Sequence, residues 1–183
     1  MRISIVYDSG YGHTKRLAEH VAQGVAEVAG AQPALLALAD EAVDWDALAG
    51  SDAIIFGSPT YNGSVSSRFK AFMEASTGPA FMGRAWAGKL AAGFTNSGTM
   101  HGDKLNTLMT MTLFAMQNGM LWKGLDVPGG RGGEELNRVG CWLGATALSE
   151  DAAPELTPPQ CDLDTALALG RQVATTTLRV AVI

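Results

Sequence analysis

The stretch Asp8-Ser9-Gly10-Tyr11-Gly12-His13-Thr14 sets two glycines and the aliphatic hydroxyls of Ser9 and Thr14 between a short apolar run, 3–7, and an amphipathic run, 14–28. A loop of this kind at a helix start presents unpaired backbone N–H groups and the positive end of the helix dipole. Its chemistry is anion binding, and phosphate is the favoured anion. Two other stretches share the character: Pro59-Thr60-Tyr61-Asn62-Gly63-Ser64, and Asn96-Ser97-Gly98-Thr99-Met100-His101-Gly102. None of the three contains Lys or Arg, and Lys15 stands just inside the first helix. A phosphate here would be held by neutral donors: loop N–H groups and the hydroxyls of Ser9 and Thr14. Helix capping alone would account for Ser9 and Thr14. Three such loops on one side of a fold favour a ligand.

The elements between the loops put them on one side. Residues 2–7 read as a buried strand from their β-branched content. The helix after them carries Leu17, Val21, Val25 and Val28 on one face, with Gly30 as its stop. Residues 34–38 read as a second strand, and 44–50 as a short helical turn. Residues 53–57 are a third strand, which Pro59 is expected to end. A helix over 65–75 turns Val65, Phe69, Phe72 and Met73 inward, and an excursion over 77–88 carries Phe81 and Trp86. Residues 90–95 form a fourth strand. A helix over 104–117 has Leu105, Met109, Leu113 and Met116 on one side and Asn118-Gly119 as its cap. Residues 120–125 read as a fifth strand, which 140–147 extends or restarts after a glycine-rich loop, 126–137. Residues 151–160 carry three prolines and read as a linker before a last helix, 161–180, packing Ala166, Leu167, Val173 and Thr177. Strand and helix alternate through one domain, 1–183, which implies an α/β fold with a parallel sheet and helices on both faces. Right-handed crossovers bring the loops after strands one, three and four to the carboxyl edge, where such sheets bind ligands.

Composition narrows the classes. A net charge of −5 without a basic stripe argues against nucleic acid. The apolar runs are too short for a membrane span. Two distant cysteines, Cys141 and Cys161, and no signal-peptide pattern suit reduced thiols in the cytoplasm. Gly10-x-Gly12 lacks the third glycine of a dinucleotide fingerprint, because Lys15 stands there. Residues 83–89 imitate a Walker A motif, but Leu90 replaces its Ser/Thr and a strand follows. His13, His20 and His101 lack zinc-ligand spacing, so no metal is expected. There is no Gly-x-Ser-x-Gly elbow for a hydrolase.

The three loops at these spacings, with Gly88-Lys89-Leu90, Asn118-Gly119-Met120 and Leu143-Gly144-Ala145-Thr146, resemble the flavodoxin-like NAD(P)H:quinone oxidoreductases of the WrbA family along nearly the whole chain. The resemblance implies an open, twisted five-stranded sheet in the order 2-1-3-4-5 and an FMN cofactor. It implies that Ser9, Gly10, Tyr11, Gly12, His13 and Thr14 hold the FMN phosphate. Pro59, Thr60, Tyr61, Asn62 and Gly63 would line one side of the isoalloxazine. Asn96, Ser97, Gly98, Thr99, Met100 and Gly102 would meet its pyrimidine edge and ribityl chain. Tyr11 and Phe81, with Trp86 nearby, fall where the family contacts its flat substrates.

The implied activity is transfer of two electrons from NADH or NADPH, through the flavin, to a quinone or similar acceptor, by a homo-oligomer (dimer or tetramer). The flavin supplies the chemistry and the protein supplies position and electrostatics. Many members carry a histidine where this chain has Asn118, and His101 is a partial replacement for it. Two other readings stay open: a flavodoxin-type electron carrier, and an NAD(P)H-dependent reductase that takes FMN as substrate. No arginine pair marks a 2′-phosphate site, so the sequence prefers neither nicotinamide.

Overall fold

A computed structural model of the chain describes residues 1–39, 42–130 and 135–180. Residues 131–134 of the expected glycine-rich loop lie outside that set. The strands are β1 (Arg2–Tyr7), β2 (Gln32–Ala37), β3 (Ala53–Tyr61), β4 (Ser64–Val65), β5 (Leu90–Ser97), β6 (Leu121–Trp122) and β7 (Ala145–Leu148). The α-helices are α1 (His13–Ala26), α2 (Trp45–Ala49), α3 (Ser67–Ala75), α4 (Lys104–Gln117) and α5 (Gln160–Val180).

The parallel sheet runs β2-β1-β3-β5-β6, with β7 also pairing β5. Counted as five sequence strands, this is the order 2-1-3-4-5. The fifth position is shared. β6 pairs Leu90 and Ala91 at the start of β5, and β7 pairs residues from Phe94 to Ser97 at its end. The described residues between these two strands are not strand, and Gly124 and Pro128 lie among them.

β3 runs through Pro59 instead of stopping there. Its partner β1 ends at the Tyr7–Gly57 pair, so past Gly57 that side of β3 needs no donor, and pairing with β5 continues to Pro59–Asn96. What looked like a loop after Pro59 is a tight hairpin onto β4, pairing Thr60 with Val65 and Tyr61 with Ser64. Its two-residue turn, Asn62-Gly63, has φ of 47° and 79°, the left-handed pair that matches strand twist.

One core lies between the sheet and the α1/α5 pair. Leu17, Val21 and Val25 meet Ile3, Ile5, Phe94, Leu163, Leu169 and Val173 there. The other holds Phe56, Phe69, Phe72, Trp86 and Phe114 against α3 and α4. Helix α4 buries Leu108, Met111, Phe114 and Ala115. The side bearing Leu105, Met109, Leu113 and Met116 faces outward, each residue 45–63 % exposed. The helix is apolar on two faces, and the sheet takes the one whose Phe114 stacks near Phe56, ring centroids 5.5 Å apart. Among the described residues no helix is long and apolar enough to cross a membrane.

Candidate functional site

The carboxyl ends of β1, β3, β5 and β7 surround a hollow of about 480 Å³. Gly10, Tyr11, His13 and Thr14 line it from the first loop, Pro59, Thr60 and Tyr61 from the end of β3, and Asn96, Ser97 and Gly98 from the end of β5. A fourth wall, residues 149–154, comes from the segment after β7. Sequence reading took residues 151–160, which include most of this wall, for a linker because of their three prolines. The wall's position after the last strand is the signal that places it at the same edge.

The first loop is built for an anion. Ser9 Oγ accepts the N–H groups of Gly12 and Lys15, both at 3.1 Å, and so caps the start of α1 from within. The N–H groups of Gly10, Tyr11, His13 and Thr14 donate to no group among the described residues. They stand at the positive end of a 14-residue helix. Gly12 has φ of 92°, and a Cβ there would lie 2.9 Å from Pro154 Cγ, so the residue must be glycine on both counts. The fourth wall is latched onto this loop. His13 Nε2 donates to the Ala152 carbonyl at 2.8 Å, and Arg16 donates to that of Pro154. Glu150 and Asp151 bring carboxylates to the same hollow.

Tyr61 divides this hollow from a second, more polar one lined by Asp8, Asn62, Ser66, Ser67 and Arg68. Its hydroxyl leans so close over loop one that a Cβ on Gly10 would come within 2.4 Å of it. Burial raises the Tyr61 phenol above its ordinary pKa. Tyr11 and Asp8 push the same way, and Arg68 opposes them. Asp8 is buried and pairs with Arg68 at 2.5 Å, tying the end of β1 to the first turn of α3. Under Thr60 lies a chain of buried hydroxyls: Thr60 Oγ1 is 2.8 Å from both Thr95 Oγ1 and Thr107 Oγ1. Asn96 donates through Nδ2 to Ser149 Oγ at 2.9 Å, and its buried Oδ1 has no partner among the described residues. An acceptor stranded in the wall of a ligand hollow calls for a donor from the ligand.

Other expected residues fall elsewhere. Ser9 and Gly12 shape the first loop from behind, and Asn62 and Gly63 form the hairpin turn. Thr99, Met100 and Gly102 belong to the far part of the third loop, outside the hollow's lining. His101 lines a shallow apolar groove with Leu105, Met109 and Trp142. Asn118 does not reach the flavin edge. It ends α4, which runs antiparallel to the strands, and its Nδ2 donates to the Phe114 carbonyl at 3.0 Å. Phe81 is also at the opposite edge, on a π-type turn (Thr77–Met82) beyond the end of α3. Trp86 is not a substrate wall but core, 1 % exposed and stacked near Phe72. Lys89 of the Walker-like stretch is structural, donating to the carbonyls of Ala49 and Ser51.

An open sheet in this order, with N–H-rich loops around a hollow at its carboxyl edge, defines a flavodoxin-like protein. Residues 1–127 match the NADPH-dependent FMN reductase family, and the chain belongs to that family. It is 36% identical over 178 residues to Flavodoxin FldP of Pseudomonas aeruginosa, covering 93% of each chain. It is 34% identical over 198 residues to an NAD(P)H dehydrogenase (quinone) of Geobacter sulfurreducens, covering 95% of this chain and 96% of that one. Among solved structures, a WrbA-like flavodoxin from Agrobacterium tumefaciens superposes with a TM-score of 0.77 at 39% identity, over 97% of this chain and 98% of that one.

Proposed function

We propose that the chain is an FMN-dependent oxidoreductase that passes electrons from NADH or NADPH to a quinone or similar acceptor, working as one flavodoxin-like domain in the cytoplasm. The observation that carries this reading is the hollow itself. It joins a loop of unpaired N–H groups at one end to the stranded Asn96 Oδ1 at another, between Tyr61 and the fourth wall. When bound, FMN supplies the two-electron redox chemistry. The N–H groups of Gly10, Tyr11, His13 and Thr14 hold its phosphate without a cation inside the loop. Pro59, Thr60 and Tyr61 give the ring a wall. Asn96 presents an acceptor to a ring or ribityl donor. Tyr11, 76 % exposed at the rim, is placed to meet an incoming nicotinamide or quinone. The family and the quinone dehydrogenase relative support this reading.

The test is the visible spectrum of the purified chain. A bound oxidised flavin, bleached by NADH or NADPH without oxygen and restored by a quinone, is the expected result. A colourless chain that takes up no added FMN refutes the reading. A second reading, an electron carrier, is favoured by the likeness to Flavodoxin FldP. A flavin that exchanges electrons with redox proteins yet is not reduced by either nicotinamide would select it.

The chain works as a homo-oligomer, a dimer or a tetramer. The stripe of Leu105, Met109, Leu113 and Met116 along α4 supports this, since four half-exposed apolar side chains in register suit a subunit contact. Sedimentation of the wild type and of Leu113→Glu tests it, with the variant shifting to monomer.

A further inference from the structure

Lys104 is the first residue of α4 and the fold buries it, 2 % exposed. Its ammonium donates to the Thr99 carbonyl at 2.6 Å and to the Met100 carbonyl at 3.0 Å. Ser97 Oγ donates to the same Thr99 carbonyl at 3.0 Å. The third loop is therefore wound around two donors, with Gly102 and Asp103 in left-handed conformation closing it onto the helix. Burying an ammonium is costly unless its hydrogen bonds are made, and burial lowers this pKa to about 8. Among the described residues no carboxylate hydrogen-bonds Lys104, although the charge of Asp162 opposes the lowering of its pKa. The ammonium contacts two consecutive peptide carbonyls.

In a trans peptide the C=O and the following N–H point in opposite directions. Both carbonyls turn inward to the buried ammonium, so the N–H groups of Met100 and His101 turn away from it. Neither donates to another group among the described residues. They follow Ser97 and Gly98, which line the hollow.

We propose that Lys104 is a positioning residue. By holding the Thr99 and Met100 carbonyls it fixes the third loop, whose Ser97 and Gly98 line the hollow, before flavin arrives. The proposal rests on the flavin reading above. It also places a buried positive charge behind the loop, which favours the reduced, more negative flavin.

The experiment compares the wild type with Lys104→Met and Lys104→Gln, each freed of flavin. FMN affinity is read by fluorescence quenching, the midpoint potential by anaerobic titration, and hydrogen exchange over residues 97–103 by mass spectrometry. Loss of two charge-assisted hydrogen bonds is expected to weaken FMN binding about tenfold or more in Lys104→Met. Its potential should become more negative, and exchange should quicken in 97–103 while the β1 and β3 peptides keep wild-type protection. Lys104→Gln, which still donates, should recover part of the affinity but not the potential. Unchanged affinity, potential and loop exchange in Lys104→Met overturn the proposal while leaving the flavin reading standing. A wild-type chain that binds no FMN overturns both. A variant whose β1 and β3 peptides lose protection equally assigns Lys104 to general stability and overturns the positioning role.

Discussion

Thr60 is the hub of the buried hydroxyl chain, and replacing it with valine keeps its shape while removing both links. Thr60, Thr95 and Thr107 are 8 %, 0 % and 0 % exposed. Among the described residues, neither Thr95 Oγ1 nor Thr107 Oγ1 has a partner other than Thr60 Oγ1. Thr60→Val therefore strands two buried hydroxyls at once. Each unsatisfied group costs about 1–3 kcal/mol, so the sum is roughly 2–4 kcal/mol after modest relaxation. In a domain of this length that is a fall in Tm of about 5–15 °C. Urea denaturation of the flavin-free chain measures it directly. The companion variant, with valine at 60, 95 and 107 together, has no polar group left to strand. It should recover to within about 1 kcal/mol of wild type. A Thr60→Val chain as stable as wild type, or a triple variant less stable than the single one, would refute the reasoning.

Three other outcomes are expected. Asp162 is 1 % exposed, holds Arg138 by two bonds of 2.7 and 3.0 Å, and accepts the Leu148 N–H at 2.9 Å. Asp162→Ala should cost about 3–5 kcal/mol in a thermal melt, and Asp162→Leu with Arg138→Met should restore only part of it, since the Leu148 N–H stays unpaired. Lys104 titrates at about 8 when folded and about 10.4 when free. Between those values the unfolded chain holds the proton and the folded chain does not, so stability rises with pH through that window. The wild-type gain between pH 8 and 10 should exceed that of Lys104→Met, and equal slopes would count against a lowered pKa. Glu150 and Asp151 line the hollow from an exposed segment. Glu150→Gln with Asp151→Asn should tighten FMN binding by about two- to fivefold at low salt, an effect that shrinks in 1 M salt.

Strand and helix alternation carried the parallel sheet and its shared carboxyl edge, because each crossover is local and its handedness is general, while the strand order came with the family resemblance. The end of β3 was less legible. A proline stops a strand only where its missing N–H faces a partner, and β1 has already ended there. The hairpin after it was present in the sequence as Asn62-Gly63 between two short β-prone pairs. The inward face of α4 could not be read locally, since two apolar stripes compete and the choice lies with Phe56 on a distant strand. Three of the four walls of the site were legible as glycine- and hydroxyl-bearing loops. Residues 149–154 were hidden by composition, and Phe81 and Asn118 by loop paths that only packing decides.

The latch from His13 to Ala152 joins the second element of the chain to the segment before the last. Translation delivers the amino-terminal strand first, and residues 149–154 leave the ribosome well over a hundred residues later. A nascent chain can thus assemble β1, the first loop and α1 early, yet it owns an anion loop without the wall that closes over it. Flavin retention would have to await residues 149–154, so a chain cut short before them would have the phosphate loop and be unable to keep its passenger.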